Sequence, residues 1–245
     1  MIQDRFLKVG SVDFDNRVAV VTGGTGALGS AIALNLLRSG ALVTVTYSSG
    51  LEWRKLQDKA GDLASRLDGV SVDLTRASDV ALVVRDLEKR YGHIDFLLCI
   101  AGGFAAGKVY ESDEATWDRM LNLNLRTLTS VLRCVVPLMI AKNFGRIVTV
   151  SAGVILEGGG VGMTAYAVSK WSVRHLSELL AGEVSAYDIR VFCLMPATMD
   201  TEANRRSMPE ADFSRWVKTE RVAEVIHDLL KDIGKNCPVV VPILR

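Results

Sequence analysis

Charge of one sign is what this sequence most clearly lacks. Its 245 residues contain 29 lysines and arginines against 28 aspartates and glutamates, which gives a formal net charge of +1. A protein without a broad positive field has nothing to draw it onto phosphate backbones or anionic membranes. We therefore expect neither nucleic acid nor a membrane among its partners.

Long apolar runs are also missing. No run in the sequence approaches the roughly 18 apolar residues that a membrane-spanning helix needs. The first residues, MIQDRFLKVGSVDF, lack the continuous apolar stretch of a secretory signal. These two observations predict a cytoplasmic protein.

Residues for metal or hydrolytic chemistry are few and scattered. No pair of cysteines has the spacing of a zinc site or a redox dithiol, so we expect no metal and four buried free thiols, at Cys99, Cys134, Cys193 and Cys237. No acid and nucleophile accompany the histidines in the order of a hydrolytic triad. The histidines are His93, His175 and His227.

The chain has no visible internal boundary. We find no repeat, no low-complexity tract and no linker rich in proline and glycine. Residues 1–245 are therefore predicted to form a single domain, with residues 1–13 as a flexible lead. An α/β fold of about 250 residues commonly forms one such unit.

What is present is an alternation of strands and helices. Short apolar runs rich in β-branched residues predict strands at 17–22, 41–46, 70–72, 96–100, 146–150, 190–195 and 239–241. Helical patterns lie between them; the clearest apolar face is formed by Val80, Val83, Val84, Leu87 and Tyr91. The alternation predicts an α/β fold: a single Rossmann-type, doubly wound parallel sheet of about seven strands with helices on both faces. Ligands of such folds bind beyond the carboxyl ends of the strands.

A glycine-rich loop follows the first predicted strand. In RVAVVTGGTGALGS, the residues Gly24, Gly26 and Gly29 match the GxGxxG pattern between a strand and a helix. Glycines allow a tight turn and a close approach of the backbone to a pyrophosphate, and the helix start offers free N–H groups. A plain glycine-rich turn is the alternative. The strand before the loop and the amphipathic helix after it favour a dinucleotide-binding site.

The end of the second predicted strand bears on the choice of cofactor. A Rossmann fold that binds NAD places a carboxylate there for the ribose hydroxyls, whereas this strand ends in Tyr47, Ser48 and Ser49. The serine hydroxyls and nearby Arg54 are suited to a ribose phosphate, although Glu52 is close by and Arg54 also fits a solvated helix position. The sequence therefore favours NADP(H) over NAD(H).

The segment TAYAVSKWSVRHL contains a candidate catalytic pair. Tyr166 and Lys170 are four residues apart in a predicted helix, so their side chains project from one face. An adjacent ammonium is expected to lower the pKa of the phenol from about 10. Tyr166 would then serve as a general acid in carbonyl reduction. A core tyrosine beside a solvated lysine is the alternative, because an isolated YxxxK pattern is common.

The order of the motifs resembles the short-chain dehydrogenase/reductase family. The glycine loop is followed by CIAG, NLNL, a serine after the fifth strand, YxxxK and PATMDT, and the resemblance covers residues 14–245. It implies an NAD(P)-dependent oxidoreductase. It also implies that Asn124 supports a proton-relay water and that Lys170 holds the nicotinamide ribose as well as tuning the phenol.

The same resemblance implies the cofactor contacts. Asp73 would lie against the adenine, and Pro196 with Thr201 would flank the nicotinamide carboxamide. The complete implied set is Gly23, Gly24, Thr25, Gly26, Ala27, Leu28, Gly29, Ser48, Ser49, Asp73, Leu74, Ala101, Gly102, Gly103, Tyr166, Lys170, Pro196, Thr198 and Thr201.

Three positions depart from the family pattern. Ala27 replaces the middle glycine of the loop, and Ile100 replaces an asparagine, which removes a structural hydrogen bond of that loop. The usual Ser-Ser pair is Ser151 followed by Ala152. Ser151 is thus either catalytic or a cap of the strand, and Thr164 is an alternative hydroxyl.

Part of the sequence resembles the quinonoid dihydropteridine reductases. The matching segments are GALGS, CIAGGFAAG and LMPATMDTEANRRSMPEADFSRW, and those enzymes also lack the family serine. However, WDRMLNLNL and GRIVTVSAG look more like general carbonyl and 3-oxoacyl reductases, and the acid that favours NADH is missing. The predicted substrate is therefore a small-molecule carbonyl or quinonoid compound, and a non-catalytic dinucleotide-binding regulator is a third alternative.

Two further expectations concern helices. Ser207, Pro209 and Glu210 read as a capping box with an early proline, which predicts a short helix starting there. The helical stretches at 116–140 and 166–187 correspond to those through which the family forms dimers and tetramers. The resemblance thus implies a homodimer or homotetramer.

Overall fold

A computed structural model describes residues 12–156, 159–231 and 238–244. Its strands are β1 (Val18–Thr22), β2 (Leu42–Tyr47), β3 (Leu67–Ser71), β4 (Phe96–Cys99), β5 (Gly145–Val150), β6 (Ile189–Pro196), β7 (Met199–Asp200), β8 (Val217–Lys218) and β9 (Val240–Ile243). Its α-helices are α1 (Ala27–Arg38), α2 (Gly50–Ala60), α3 (Ala77–Tyr91), α4 (Glu114–Leu121), α5 (Thr127–Lys142), α6 (Thr164–Glu183), α7 (Glu202–Ser207) and α8 (Thr219–Lys231).

Seven strands form one parallel sheet in the order β3-β2-β1-β4-β5-β6-β9. The strand order reverses beside β1, because β2 and β3 lie on one side of it and β4 and β5 on the other. Such a reversal opens a crevice at the carboxyl ends of the strands. The predicted doubly wound parallel sheet is confirmed, and the loops that carry candidate functional residues follow β1, β2, β3, β4, β5 and β6.

Helices cover both faces of the sheet, because successive strand residues point to opposite sides. Val21 of β1 packs in a core cluster with residues of α1 and α8, such as Ile32 and Ile226. Val20 packs in a second cluster with residues of α3, α5 and α6, such as Val131. All these side chains are nearly inaccessible to solvent, so the central strands are buried on both faces of the sheet.

Two edge strands differ from the predicted bounds. β3 starts at Leu67 rather than at residue 70, because Asp68 and Gly69 interrupt the apolar pattern while the backbone still pairs with β2. β9 runs to Ile243 and contains Pro242. A proline is tolerated in a strand at a sheet edge, where one side of the strand forms no ladder.

The predicted helix at 116–140 is interrupted. Between α4 and α5, residues Asn122–Arg126 form a π-helical turn. The combined stretch Glu114–Lys142 is, within the described residues, long and apolar enough to cross a membrane by length and composition alone. In this fold it packs instead against the sheet, since Leu128, Val131 and Met139 lie in the second core cluster.

The helix predicted to start at Ser207 is wrong. α7 begins earlier, where Thr201 accepts a hydrogen bond from the amide of Asn204 (3.2 Å), and it ends at Ser207. The Ser207 hydroxyl donates backwards to the Asn204 carbonyl instead of capping a following turn. Pro209 disfavours helical backbone at Met208, so the apparent capping box lies at a helix end.

Two further expectations concern the amino-terminal lead and the cysteines. Residues 1–11 of the predicted lead lie outside the described residues, whereas Val12 is buried and its amide donates to the Lys231 carbonyl (3.2 Å). Cys99 and Cys193 are buried free thiols, whereas Cys134 on α5 packs against the second core cluster and is only partly buried. The prediction for Cys237 also falls outside the described residues.

Candidate active site

The glycine loop after β1 is packed closely at Gly24 and Gly29. Gly23 has φ +62°, and a Cβ on Gly24 would lie 2.4 Å from the side chain of Val45 in β2. A Cβ on Gly29 would lie 2.3 Å from the Gly23 carbonyl oxygen. The Gly29 contact holds the start of α1 against the loop, so at Gly24 and Gly29 only backbone fits, while Thr25 and Ala27 are the accessible side chains of this stretch.

The start of α1 offers unpaired backbone amides. Gly26 precedes the helix and has no capping side chain, the first turn contains no acid, and the Ser30 amide makes the first intrahelical bond, to the Gly26 carbonyl (2.8 Å). The amides of Ala27, Leu28 and Gly29 therefore have no partner within the helix. Ala27, which replaces a family glycine, is the first helical residue and is exposed. This arrangement suits the pyrophosphate of a dinucleotide.

The end of β2 carries hydroxyls and no carboxylate. Ser49 caps α2 by accepting from the amide of Glu52 (3.4 Å), and the ring of Tyr47 stacks on Trp53 with 5.4 Å between centroids. The Glu52 carboxylate is paired with Lys55 (2.8 Å), so its charge is partly neutralised. Ser48 and the exposed Arg54 complete the polar groups that the sequence indicated there.

Asp73 follows β3 and forms a local turn. The side chain and amide of Thr75 both donate to its carboxylate, at 2.7 and 2.9 Å, and these bonds hold its pKa below the usual value. The neighbouring Leu74 packs against the second core cluster. This fixes an exposed carboxylate at the carboxyl edge of β3, the position at which the resemblance implies an adenine contact.

The loop after β4 is held by a threonine of β1. The amides of Ile100 and Ala101 both donate to the Thr22 hydroxyl oxygen, at 3.0 and 3.2 Å. The loop is therefore attached to β1 through two backbone amides for which Thr22 is the acceptor, and Ile100 takes part through its backbone rather than its side chain. Sequence reasoning missed Thr22, because its position at the end of a buried strand suggests packing rather than loop attachment.

Asn124 lies in the π-helical turn and is almost completely buried. Its side-chain oxygen accepts from the Gly103 amide (2.9 Å), and its nitrogen donates to the Gly103 carbonyl (3.0 Å). The same nitrogen donates to the Ser169 hydroxyl (2.9 Å), which in turn donates to the Tyr166 carbonyl (2.7 Å). Asn124 thus joins the loop after β4 to the first turns of α6.

Tyr166 and Lys170 lie on one face of α6, as predicted. The Lys170 Nζ is 5.9 Å from the centre of the Tyr166 ring and donates to the Val150 carbonyl at the end of β5 (2.9 Å). Lys170 is buried, with 8% of its surface exposed. The sheet end therefore positions the ammonium group beside the phenol.

The predicted lowering of the Tyr166 pKa is wrong. Burial raises the pKa of Tyr166 to about 12, and burial lowers the pKa of Lys170 to about 8. Loss of water disfavours the charged form of each group and is the largest cause of both shifts. At neutral pH Tyr166 is a protonated phenol and Lys170 is mostly an ammonium ion, which is the pair of states that a proton donor and its stabilising cation require.

Ser151 holds β5 to α6. Its hydroxyl donates to the Lys170 carbonyl (2.7 Å), and the residue is 2% exposed. Of the two roles left open by the sequence, the geometry supports the structural one, because the hydroxyl is committed to the helix backbone. Ala152 occupies the next position with extended backbone and brings no hydroxyl. Thr164, the first residue of α6, is half-buried.

Contacts with neighbouring loops and with β8 hold the segment after β6 in place. A Cβ on Gly153 would lie 2.9 Å from the Pro196 carbonyl, so the loops after β5 and β6 touch. The Val217 amide donates to the Thr198 carbonyl (2.9 Å), and β7 pairs with β8. Thr201 caps α7, as described above. These contacts place the implied nicotinamide-flanking residues at the carboxyl end of β6.

Phe104 is a second neighbour of the site that sequence reasoning missed. Its ring meets the Tyr166 ring edge-on, with 5.0 Å between centroids and 69° between planes, and it is 59% exposed. Only its place in CIAGGFAAG, just after a predicted strand end, could have indicated it.

Within residues 12–156, 159–231 and 238–244, no group of three or more histidine, cysteine, aspartate or glutamate side chains is placed to hold a metal ion.

The fold and these residues define an α/β protein with a dinucleotide-type loop and a tyrosine–lysine pair at the same sheet edge. Residues 17–212 match the family model described as short chain dehydrogenase. The chain belongs to the short-chain dehydrogenase family and is an oxidoreductase.

Similar proteins carry related names. The 3-oxoacyl-[acyl-carrier-protein] reductase FabG of Thermotoga maritima is 30% identical over 226 residues, which cover 89% of this chain and 92% of that protein. The 2-(S)-hydroxypropyl-CoM dehydrogenase 3 of Xanthobacter autotrophicus is 28% identical over 85% of this chain and 82% of its own. In fold, the chain also matches an NAD+-bound xylitol dehydrogenase, with a TM-score of 0.85 at 24% identity over 95% of this chain and 99% of that one.

Proposed function

We propose that this protein is an NADPH-dependent reductase of a small-molecule carbonyl compound, with Tyr166 as the proton donor. The observation that carries the proposal is the pairing of a protonated phenol with a buried ammonium group 5.9 Å from its ring, at the same sheet edge as the glycine loop. Burial disfavours the charged form of both groups, and pKa values shifted in this way are common at functional sites.

The residues present fit a nicotinamide dinucleotide. The tightly packed glycine loop and the free amides of α1 would hold the pyrophosphate, Ser48 and Ser49 the ribose phosphate, and Asp73 the adenine side. Residues 101–103 and 196–201 would line the nicotinamide end. When bound, a reduced nicotinamide supplies the hydride that reduces the substrate carbon.

The chain itself supplies the proton. Tyr166 donates its phenol proton to the carbonyl oxygen as hydride reaches the carbon, so that the carbonyl becomes an alcohol. The ammonium of Lys170 stabilises the phenolate left behind, because a positive charge close to a buried anion favours the charged form. Asn124 fixes the loop and helix that flank the pair through Gly103 and Ser169.

Two substrate classes follow from different observations. The similarity to the 3-oxoacyl reductase of Thermotoga maritima supports a 3-oxoacyl thioester or a simple ketone. The absence of a hydroxyl at Ala152, together with the bound hydroxyl of Ser151, supports a quinonoid ring, whose reduction in dihydropteridine reductases proceeds without the family serine. A ketone is the first choice, and the quinonoid compound is the second.

The assay that tests this function follows the loss of reduced-nicotinamide absorbance with NADPH and NADH in parallel. A 3-oxoacyl thioester, a simple ketone and quinonoid dihydropterin are each offered, with enzyme-free controls because the last also reacts spontaneously. We expect NADPH-dependent turnover of a carbonyl. Dinucleotide binding without turnover of any compound would instead support the non-catalytic regulator.

Cofactor choice is tested by returning an acid to the end of β2. In Ser48→Asp, the new carboxylate should repel a 2′-phosphate and accept the ribose hydroxyls of NADH. We expect the Kd for NADPH to rise about tenfold or more, equivalent to at least ~1.4 kcal/mol, while the Kd for NADH stays equal or falls. Titration of both cofactors by fluorescence measures this.

Ser65→Asp is the matched control. Ser65 is exposed and lies before β3, at the amino-terminal end of the strands, whereas Ser48 lies at their carboxyl end. It adds the same charge and should leave both dissociation constants unchanged. An equal rise in the Kd for NADPH in both variants would show that the added net charge, rather than its position, is responsible.

Ser169 is a positioning residue in this proposal. Ser169→Ala removes the acceptor for Asn124 and the donor to the Tyr166 carbonyl. We expect kcat to fall about tenfold with KM values nearly unchanged, because the reacting groups lose orientation rather than binding surface. Ser169→Thr, which restores a hydroxyl, should recover most of the activity.

Ser177→Ala separates orientation from stability. Ser177 is equally buried on α6 and its hydroxyl donates to the Val173 carbonyl (2.8 Å). Loss of either buried hydroxyl should lower the free energy of unfolding by about 1–3 kcal/mol. A fall in kcat for both alanine variants would assign the effect of Ser169 to general destabilisation.

We also propose that the protein is a homodimer or homotetramer that associates through its long helices and is cytoplasmic. The outer side of α6 supports self-association, since Val168, Trp171 and Leu179 are 42%, 47% and 53% exposed. Exposed apolar side chains grouped on one helix commonly mark an interface. Light scattering at several concentrations measures the assembly.

A further inference from the structure

We propose that the exposed ring of Phe104 is a subsite for a flat, conjugated substituent attached to the reacting carbonyl. This inference rests on the proposed reductase function and specifies the substrate class. Phe104 touches Tyr166 edge-on and remains 59% exposed. An exposed aromatic ring in contact with the proton donor is therefore a surface that a bound substrate would cover.

The segment that carries Phe104 is firmly held on its amino-terminal side. Gly103 is bonded through both its amide and its carbonyl to the side chain of Asn124, at 2.9 and 3.0 Å. A Cβ on Gly103 would lie 2.7 Å from the side chain of Leu123, so this part of the loop has no free space. The backbone of Phe104 is thus fixed against the π-helical turn.

The carboxyl-terminal side is also held. Ala105 is buried in a small cluster with Met120 and Ala165, against which Tyr166 packs. Gly107 donates to the Gly162 carbonyl (2.7 Å) and accepts from the Thr164 amide (2.9 Å). Phe104 is therefore exposed on a preformed surface. Covering its ring with a ligand costs little entropy, because the loop is already ordered.

The geometry favours a flat ring over an alkyl chain. Phe104 presents its ring at 69° to Tyr166, so the contact with Tyr166 does not stack the two faces. A ligand of either kind gains from burial of apolar surface, but only an aromatic or conjugated group gains the additional energy of ring pairing. Phe104 should therefore discriminate between ketones of equal size that differ only in unsaturation.

The test compares a phenyl ketone with its cyclohexyl counterpart, acetophenone and cyclohexyl methyl ketone. For each protein the ratio of the two kcat/KM values is measured with NADPH, and the ratio cancels any general loss of activity. Phe104→Leu keeps an apolar side chain but removes the ring. We expect this variant to lower the phenyl preference about three- to tenfold relative to the parent protein.

Tyr110→Leu is the matched control. Tyr110 is on the same loop and its ring is 78% exposed. The ammonium group of Lys108, rather than Tyr166, lies against this ring. It should leave the phenyl preference unchanged. An unchanged ratio in Phe104→Leu, or an equal fall in both variants, would overturn the proposal.

Ligand-observed NMR of the same ketones, with cofactor present, separates this inference from the reductase function. Preferential binding of the phenyl compound that is lost in Phe104→Leu supports the subsite even without turnover, in which case only the reductase function fails. Turnover without any preference for the phenyl compound overturns the subsite and leaves the reductase function standing.

Discussion

Replacing Tyr166 by phenylalanine is expected to lower kcat about a thousandfold while leaving the Kd of the cofactor within about twofold. The phenyl ring keeps the packing on Phe104 and on the Ala105 cluster. Only the hydroxyl is lost, and a positioned general acid contributes about 10²–10⁴ in rate. Initial rates and a fluorescence titration of NADPH measure the two quantities on the same preparation.

Tyr187→Phe is the control for this change. Tyr187 is a half-buried tyrosine that precedes β6, so it lies at the amino-terminal end of the strands, opposite the end at which Tyr166 lies. It should keep full activity. Unchanged turnover in Tyr166→Phe would remove Tyr166 from the mechanism, and an equal loss of cofactor binding would indicate a folding effect instead.

Lys170→Met is expected to abolish activity and yet raise the stability of the protein. Burial lowers the pKa of Lys170 from 10.5 to about 8, so keeping it charged costs the folded state about 3 kcal/mol at neutral pH. Methionine fills the same space without a charge but leaves the Val150 carbonyl without its donor. We expect a net gain of about 2 kcal/mol in the free energy of unfolding at pH 7.

The pH dependence of this gain has a definite sign. Between pH 8 and 10.5 the unfolded chain holds a proton on Lys170 that the folded chain has released, so the stability of the parent protein rises with pH relative to the variant. The advantage of Lys170→Met should therefore be largest below pH 8 and disappear as pH rises through this range. Urea unfolding of both proteins at a series of pH values measures it.

Lys89→Met serves as the control, because Lys89 is exposed on α3. It should change stability by less than about 0.5 kcal/mol at every pH. A Lys170→Met protein that is less stable at pH 7, or whose stability difference does not vary with pH, would contradict a buried lysine held charged at a cost.

Local patterns in the sequence were sufficient for the sheet and for two parts of the site. The bounds of the inner strands follow from apolar runs that are buried on both faces, whereas those of β3 and β9 differ, and the glycine loop follows from the spacing of its glycines. The spacing of Tyr166 and Lys170 alone places them on one helix face. Each of these features depends on residues near one another in the chain.

Features that depend on distant partners were missed or wrong. The orientation of the Ser151 hydroxyl depends on the Lys170 carbonyl, and the attachment of the Ile100 loop depends on Thr22 of another strand. The direction of the Tyr166 pKa depends on how much water the fold excludes, which no spacing reveals. Likewise, the helix signal at Ser207 was a helix end, because an upstream cap at Thr201 had already started the turn.

Transfer of deuterium tests the central claim most directly. NADPH deuterated at both C4 positions is incubated with a ketone and either the parent protein or Tyr166→Phe, and the alcohol product is examined by mass spectrometry. We expect one deuterium on the carbinol carbon with the parent protein and almost no product with the variant. Product without deuterium, or equal labelled product with both proteins, would contradict hydride transfer assisted by Tyr166.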